Sequence, residues 1–252
     1  MNMNQDAMTV QPKIFARFTG LFASQSTRHG GVSSAPYHAL NLGKSSADDP
    51  VHVAENRLRF CAALGFHPTE MAWSKQAHGD QICLATEPGG SEGYDALVTN
   101  VSGILLAVSV ADCTPILVYD SRNRAVAAIH AGWRGTVSGI VAKTLDFMNQ
   151  QFGTQGTDCF AYVGACIDAY SFEVDNEVAI EFAESFKRFD PERGKFFVDL
   201  KKANAAQLLA FGIPEAQLEI SPYCTVAHNK DFFSHRKDGG ITGRGMGVIG
   251  LR

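Results

Sequence analysis

Two histidines and one cysteine stand beside glycine or acidic residues at the edges of apolar runs: His78, Cys113 and His130. Two imidazole nitrogens and one thiolate sulfur are good zinc ligands, and a set of three leaves the fourth coordination position open, as catalytic zinc sites do. The three residues are separated by 35 and 17 positions, so only the tertiary fold can bring them together. We therefore predict a catalytic metal site that depends on the convergence of these side chains.

The same three residues also fit a different chemistry, in which Cys113 is a thiolate nucleophile activated by a histidine. Taken singly, each residue has a purely structural interpretation. Cys113 is then a thiol at a strand bend, His130 a core histidine before a tight turn, and His78 a surface histidine. The sequence does not separate a metal ligand from a nucleophile, so both assignments stay open.

Copper is the alternative metal. A blue-copper site needs two histidines, a cysteine and an axial ligand, and a multicopper centre needs further histidines. The chain has eight histidines and no His-x-His pair. The composition therefore favours zinc over copper and argues against a multicopper oxidase.

Short apolar runs bounded by turn residues predict the strands that position these side chains. Cys113 lies between two predicted strands, 104–110 and 116–119, and His130 ends a third, 125–130. Apolar residues at helical spacing predict an amphipathic helix over 136–151, and the mixture of elements predicts an α+β layered domain. The other predicted elements are a helix from Asp49-Pro50 to about Leu64 closed by Gly65, a strand over 160–163, a helix near 175–188, a helix from Asp199 to about Ala210, and strands from Phe232 to Ile249 around an Asp238-Gly239-Gly240 turn.

The composition is that of an ordinary globular protein, with 45% hydrophobic and 19% charged residues in a chain of 252. A net charge of −4 gives no basic excess for a nucleic-acid partner. The longest apolar run, 104–110, is too short to span a bilayer, and the polar N-terminus lacks the apolar core of a secretory signal. We therefore expect a cytoplasmic protein with neither a membrane nor a nucleic-acid partner, and its six scattered cysteines should be free thiols. Its expected organisation is a flexible N-terminal arm over residues 1–12 and one domain over 13–252.

The most specific motifs in the chain are the His-Ala-Gly-Trp-Arg-Gly block at 130–135 and the Ala-Asp-Cys step at 111–113. Together with shorter segments they resemble the YfiH or laccase-domain family, whose members are also called polyphenol-oxidase-like or peptidoglycan editing factor proteins. The resemblance covers about residues 13–252. The further matching segments are 26–33, 40–43, 55–57, 76–79, 164–167, 172–174, 224–225, 232–234 and 242–244.

The resemblance implies a single-domain layered α/β/β/α sandwich with mixed sheets, in which His78, Cys113 and His130 line the active site and bind Zn²⁺. It implies phosphorolysis of adenosine, inosine, guanosine and S-methyl-5′-thioadenosine, and deamination of adenosine, so a nucleoside and phosphate would be the partners. The alternative is a cysteine-type hydrolase that edits wrongly loaded amino acids on a peptidoglycan precursor, UDP-MurNAc-amino acid. The family's older label of copper laccase is disfavoured by the histidine count. A monomer is expected.

Phosphorolysis requires an anion site, and Arg28 and Arg134 are favoured for it because both lie in glycine-rich turns. The arginine fork also matches the geometry of phosphate. Asp112 is expected either to carry a proton in deamination or to orient a histidine of the metal site. The remaining cationic candidates are Lys44, Arg236 and Arg244.

Overall fold

The computed structural model describes residues 8–252, and most of the predicted apolar runs are strands in it. Within that range the strands, in chain order, are Thr9–Val10 (β1), Leu21–Ser26 (β2), Met71–Lys75 (β3), Ile82–Leu84 (β4), Gly89–Glu92 (β5), Ala96–Thr99 (β6), Leu105–Val110 (β7), Thr114–Asp120 (β8), Ala125–Ala131 (β9), Cys159–Val163 (β10), Glu173–Val174 (β11), Lys187–Asp190 (β12), Lys195–Val198 (β13), Leu218–Ile220 (β14) and Gly245–Leu251 (β15). The α-helices there are Pro50–Ala63 (α1), Trp133–Val137 (α2), Ile140–Phe152 (α3), Asn176–Ala179 (α4) and Leu200–Ala210 (α5).

Most of the strands form two mixed sheets. The first has the order β1-β2-β15-β7-β3-β5 and the second the order β14-β10-β8-β9-β6-β4, while β11, β13 and β12 form a small third sheet. In the second sheet β8 pairs antiparallel with β9, and Pro115 lies opposite His130. The chain crosses from the first sheet to the second between β7 and β8, and Cys113 lies in this crossing.

The two faces of β7 contribute to different cores, because successive side chains of a strand point to opposite faces of its sheet. Leu106 and Val108 pack between the two sheets with Leu117 of β8. Leu105 and Ala107 pack on the outer face with α1. On the other side, α3 and α5 cover the outer face of the second sheet. These four layers confirm the predicted α/β/β/α sandwich of the α+β class.

The two helix starts predicted from aspartate caps are confirmed. The Asp49 carboxylate accepts a hydrogen bond from the Val51 N–H at 2.8 Å at the start of α1, and Gly65 follows the helix with a left-handed φ of 74°. Asp199 accepts from the Lys202 N–H at 2.9 Å at the start of α5. Each cap satisfies an N–H group that has no partner inside the helix.

The helix predicted over 136–151 is present but divided. α2 ends at Val137, and α3 begins at Ile140 after Gly139, whose φ of 76° lies in the left-handed region. A right-handed helix does not continue through such a residue. The apolar spacing therefore identifies α3, whereas α2 is a separate short helix directly after His130.

The helix predicted near 175–188 is wrong for most of its length. α4 ends at Ala179, a 3₁₀ turn follows over Glu184–Phe186, and β12 begins at Lys187. Phe182 is buried in a cluster with the small third sheet, and Phe186 packs against the same cluster. The helical spacing of these aromatic residues thus reflects packing around a bend and not one face of a helix.

Of the strands predicted from Phe232 to Ile249 around a turn, the second is present as β15, but the first is wrong because the segment before β15 contains no strand. In that segment the Asp238 carboxylate accepts from the Thr242 hydroxyl at 2.6 Å, and the Gly240 N–H donates to the His235 carbonyl at 2.9 Å. Such local hydrogen bonds compete with the pairing that a hairpin requires.

The arm predicted over residues 1–12 lies in part outside the described residues. Thr9 and Val10 pair with Ser26 and Gln25 as the edge strand β1, so this part of the expected arm belongs to the first sheet. Within residues 8–252, the helices are all too short or too polar to cross a membrane.

Candidate metal and active site

His78, Cys113 and His130 meet at the carboxyl ends of three strands. His78 follows β3, Cys113 follows β7, and His130 is the second-last residue of β9, shortly before α2. One ligand atom from each residue lies within 4.8 Å of the others. The two imidazole rings meet edge to face with their centroids 4.8 Å apart. The convergence that the metal-site prediction required is therefore present.

The three side chains differ in their access to solvent. His130 is 2% exposed, Cys113 is half-buried and His78 is exposed. The group consequently opens toward solvent on the His78 side, while the protein encloses it on the His130 side. A small molecule would reach it from the His78 side.

Gly132 provides the space in which the three side chains approach one another. A Cβ atom at this position would lie 3.2 Å from the Cys113 sulfur and 3.5 Å from Cδ2 of His78. The φ of Gly132 is −74°, which any residue adopts. Space and not backbone conformation therefore requires glycine here.

Replacing Gly132 with alanine is expected to weaken metal binding at this site about tenfold or more, because inserting a methyl group into a packed site costs roughly 1–3 kcal/mol. The added Cβ would press on the Cys113 sulfur and the His78 ring. Competition between the protein and a chromophoric zinc chelator measures the change. Wild-type zinc affinity in Gly132→Ala would show that the site has room to spare.

Asp95 connects the two histidines, although the sequence analysis did not select it. Its carboxylate accepts from Nδ1 of His130 at 2.8 Å and from the backbone N–H groups of residues 77–79 at 2.8–3.1 Å. Burial acts to raise the pKa of Asp95, but these hydrogen bonds and the His130 charge outweigh it and lower the pKa. Asp95 therefore leaves Nε2 of His130 to face Cys113, and it fixes the loop that carries His78.

The sequence contains one signal that points to Asp95. It is an acidic residue directly before the buried strand β6, and a buried carboxylate must find hydrogen-bond donors. The pattern does not say which donors these are, because the His130 side chain is 35 positions away.

Asp112 holds the bend that presents Cys113. It has a left-handed φ of 80°, a rare conformation for a residue with a side chain. Its carboxylate accepts from the Thr225 hydroxyl at 2.5 Å and from the Arg236 backbone N–H at 2.7 Å. In the described residues, the carboxylate that accepts from a histidine of the metal group is thus that of Asp95 and not that of Asp112. Asp112 lines the cavity, and its role as a proton carrier stays a prediction. Hydrogen bonds to the loops of Thr225 and Arg236 explain why Asp112 is buried there.

The group also changes the protonation of its own members. Burial opposes the Cys113 thiolate, but the His130 charge and hydrogen bonds from both imidazoles outweigh it and lower the pKa of Cys113 to about 6. Burial likewise opposes protonated His130, but Cys113 and Asp95 outweigh it and raise its pKa to about 9. Both shifts favour a thiolate beside an imidazolium when no metal is bound. Thiolate is the form in which sulfur ligates a metal.

A cavity of about 1000 Å³ opens above the three residues, which form part of its wall. Trp73 and Phe172 contribute aromatic surface, and Ile167 contributes aliphatic surface. Its size and its mixture of apolar and polar walls suit a metabolite-sized ligand. The charged residues of the lining are Lys44, Arg57, Lys75, Glu92, Asp112, Arg236 and Arg244.

Arg28 and Arg134 lie outside this lining. The Arg28 guanidinium donates to the His38 carbonyl at 2.9 Å and to the Asn229 carbonyl at 2.7 Å, so it joins two loops. Arg134 is exposed and lies 4.3 Å from the centre of the Trp133 ring. Their predicted contact with phosphate thus has no support in this geometry. The other cationic candidates, Lys44, Arg236 and Arg244, line the cavity.

The donor set fits one metal ion. Within residues 8–252, His78, Cys113 and His130 form the one group of three or more His, Cys, Asp and Glu side chains whose ligand atoms come close enough to share an ion. Two nitrogen donors and one sulfur donor suit zinc. A multicopper oxidase needs several further ligand groups. The described part of the chain therefore fits a mononuclear site.

The chain is similar to a described protein family and to named bacterial proteins. Residues 22–252 match the family model described as multi-copper polyphenol oxidoreductase laccase. A purine nucleoside phosphorylase of Bacteroides thetaiotaomicron is 40% identical over an alignment of 237 residues and covers 87% of this chain and 87% of its own. A purine nucleoside phosphorylase of Deinococcus radiodurans is 43% identical over 228 residues, covering 90% of this chain and 87% of that protein.

Solved structures share the fold along its length. The hypothetical protein YfiH of Bacillus licheniformis superposes with a TM-score of 0.92 at 30% identity and covers 99% of this chain and 98% of its own. YlmD of Geobacillus stearothermophilus superposes with a TM-score of 0.90 at 32% identity and covers 97% of this chain and 99% of its own. The α/β/β/α layers are therefore common to these proteins.

Proposed function

The chain belongs to the family described as multi-copper polyphenol oxidoreductase laccase, and because its relatives are named purine nucleoside phosphorylase we propose that it is a zinc-dependent enzyme of that kind. Curated relatives at 34–43% identity bear the name purine nucleoside phosphorylase. The resemblance to the YfiH or laccase-domain family, predicted from the motifs, is confirmed.

One observation carries the proposal: His78, Cys113 and His130 share one wall of a cavity of about 1000 Å³. The cavity has aromatic surface for a planar base in Trp73 and Phe172. It also has an excess of cationic over anionic side chains in its wall, which suits an anionic co-substrate. These are the features that a reaction between a nucleoside and phosphate requires.

In phosphorolysis, a phosphate oxygen forms a bond to C1′ of the ribose while the bond from C1′ to the purine nitrogen breaks. The electron pair of the broken bond leaves with the base, which takes up a proton, and the sugar leaves as its 1-phosphate, with its 5′ substituent unchanged. The protein must therefore hold the base and the phosphate on opposite sides of C1′ and stabilise charge that develops on the base.

Different residues of the chain have different roles in this reaction. His78, Cys113 and His130 would hold the zinc ion, and zinc when bound supplies a concentrated positive charge that acts as a Lewis acid. Asp95 accepts a hydrogen bond from Nδ1 of His130 and from the backbone of the His78 loop, so it keeps both imidazoles in position. The aromatic walls exclude water from one face of the base.

The individual substrates are part of this proposal. Adenosine, inosine, guanosine and S-methyl-5′-thioadenosine all present a purine on C1′ of a ribose, so one cavity is proposed to accept the four. Deamination of adenosine is proposed for the same group, because zinc sites with nitrogen and sulfur ligands also serve base deamination. A cytoplasmic location and a monomeric state remain predictions.

Removing the metal is expected to lower base release by about 100-fold or more, because the three side chains alone do not supply the charge of a divalent ion. The protein is dialysed against a chelator and assayed with each nucleoside and phosphate, with the free base and the sugar 1-phosphate separated by chromatography. Equimolar zinc should restore the rate. Copper is added in a parallel sample to compare the two metals.

Two outcomes would oppose different parts of the proposal. Full activity in protein shown by elemental analysis to be metal-free would contradict the metal requirement. Absence of phosphate-dependent base release by zinc-loaded protein, with all four nucleosides, would contradict the phosphorylase assignment itself.

A second candidate is favoured by the position of the Cys113 sulfur, which lies within 4.8 Å of a ring nitrogen of each histidine. A thiolate beside a histidine is the arrangement of a nucleophilic cysteine. The protein would then be a cysteine-type hydrolase that acts on UDP-MurNAc-amino acid. Such an enzyme would retain its activity after chelation, so the metal-removal experiment separates the two candidates.

A further inference from the structure

Three cationic side chains lie in the wall of the cavity, two of them against the Trp73 ring. The Lys44 Nζ lies 4.2 Å from the centre of the Trp73 ring, and the Arg57 Cζ lies 5.4 Å from it. The third, Arg244, lines the same cavity. Like charges approach one another in this way only where the protein fold holds them together.

The segment 41–44 holds the three cations in place. Nε of Arg57 donates to the Leu42 carbonyl at 2.8 Å. The side chain of Arg244 packs against Gly43, where an added Cβ would come within 2.6 Å of Cγ of Arg244. Lys44 is the next residue along the chain. The positions of the three side chains are therefore set by short backbone contacts.

None of the three cations forms an ion pair with an Asp or Glu side chain among residues 8–252, although Cys113 and Asp112 lie near enough to Arg244 to favour its charge. Arg57 is only 6% exposed, and in that range Nε is its one hydrogen-bonded nitrogen. Arg244 uses one guanidinium nitrogen, which donates to the carbonyls of Thr242 and Gly243. Burial lowers the pKa of Arg57 to about 10 and also lowers the pKa of Lys44, whose exposed ammonium Arg57 repels.

The other two cations of the cavity differ from these three, because Lys75 has an acidic partner and Arg236 is exposed to solvent. Lys75 forms an ion pair with Glu92 at 2.7 Å. Arg236 donates Nη2 to the Glu173 carbonyl at 3.1 Å and lies over the Phe172 ring. A buried cation without a counter-ion is costly. Arg57 is buried, Arg244 is half-buried and Lys44 is exposed at one end of the cavity. This concentration of positive charge around a buried guanidinium is explained if the ligand supplies the negative charge.

We propose that Lys44, Arg57 and Arg244 form the subsite for the phosphoryl group, and that inorganic phosphate binds there as the attacking co-substrate. The guanidinium groups of Arg57 and Arg244 each offer N–H groups suited to two phosphate oxygens, and Lys44 adds a mobile charge at the exposed end. This inference rests on the proposed phosphorylase activity, because that activity makes phosphate a substrate.

The test compares two lysine variants of the zinc-loaded full-length protein. Lys44→Met keeps most of the side chain over Trp73 but removes the charge. Lys75→Met removes a charge from the same cavity, where the lysine is paired with Glu92. Isothermal titration with inorganic phosphate should show about 10- to 100-fold weaker binding in Lys44→Met, the range of one charge-assisted hydrogen bond. Lys75→Met should bind phosphate as the wild type does.

Steady-state kinetics supply a second readout. In Lys44→Met the KM for phosphate should rise by the same factor, while the KM for the nucleoside should stay close to the wild-type value. Lys44→Arg should restore most of the phosphate affinity. Arg57→Lys gives a further variant that keeps the charge but loses the fork, and its phosphate affinity should fall while its thermal unfolding temperature shows that it is folded.

The results separate this inference from the proposed function. Unchanged phosphate binding and KM in Lys44→Met, or equal weakening in Lys75→Met, would overturn the subsite even if the wild type releases base with phosphate. Absence of phosphate binding by the wild type would overturn it as well. Phosphate binding that depends on Lys44 in a protein without nucleoside turnover would instead keep the subsite and reject the phosphorylase assignment.

Discussion

Cys113→Ala is expected to reduce kcat/KM for phosphate-dependent base release by about three orders of magnitude or more, the scale of effect seen when a reacting group is removed. The thiolate is the one sulfur donor of the three-residue group and its one negatively charged member. Without it, two imidazoles remain to bind a divalent ion and balance its charge, and zinc affinity should fall with the activity. Elemental analysis of the purified variant measures the metal content, and kcat/KM is measured with adenosine and phosphate.

Cys83→Ala is the matched control for this experiment. Cys83 is also a half-buried free thiol, but it lies on β4 and outside the cavity lining. We expect the control to keep both metal and activity, and circular dichroism should show that Cys113→Ala is folded. Near-wild-type turnover by a folded Cys113→Ala would exclude Cys113 both as a metal ligand needed for catalysis and as a nucleophile.

Asp95→Asn is expected to lower zinc affinity about 10- to 100-fold, the usual effect of removing the carboxylate that supports a ligating histidine. An asparagine has one acceptor oxygen and places an NH₂ group where the wild-type carboxylate accepts hydrogen bonds. It therefore leaves either Nδ1 of His130 or some of the N–H groups of residues 77–79 without an acceptor. We expect the free energy of unfolding to fall by about 1–3 kcal/mol as well.

Two measurements distinguish positioning from general damage to the fold. Zinc affinity is determined by competition with a chelator at a temperature where the variant is folded, and stability is determined by denaturant unfolding. Asp80→Asn is the control, because Asp80 lies on the same loop and pairs with Lys143 at a partly exposed site. A folded Asp95→Asn variant with wild-type zinc affinity would show that Asp95 is structural only.

The sequence was a reliable guide to individual helices and strands wherever the determinant is local. The aspartate caps at Asp49 and Asp199 and the apolar runs of β7 and β9 act through neighbouring residues, and these elements are where the patterns predict them. The prediction over 175–188 was wrong because Phe182 packs against residues far away in the chain. Spacing alone does not distinguish such packing from the face of a helix.

The acidic residues of the site show the same difference between local and tertiary determinants. Asp112 was selected because it stands beside Cys113, yet its carboxylate supports the loops of Thr225 and Arg236. Asp95 lies outside the sequence motifs of the site, yet it accepts a hydrogen bond from His130. Adjacency in sequence was the wrong criterion, because the carboxylate that supports a histidine is selected by distance in space.

The sequence by itself determined the residue types available for chemistry, the family to which the motifs belong and the order of most elements. It also determined that a metal, if bound, would meet two imidazoles and a thiolate. Only the tertiary structure decided that these groups converge, that Asp95 supports the imidazoles, and that Lys44, Arg57 and Arg244 and not Arg28 or Arg134 face the cavity. The physical reason is that caps and apolar periodicity act within a few residues. The partner of a buried polar or charged group is instead set by packing between layers, and here those partners are tens to hundreds of positions apart.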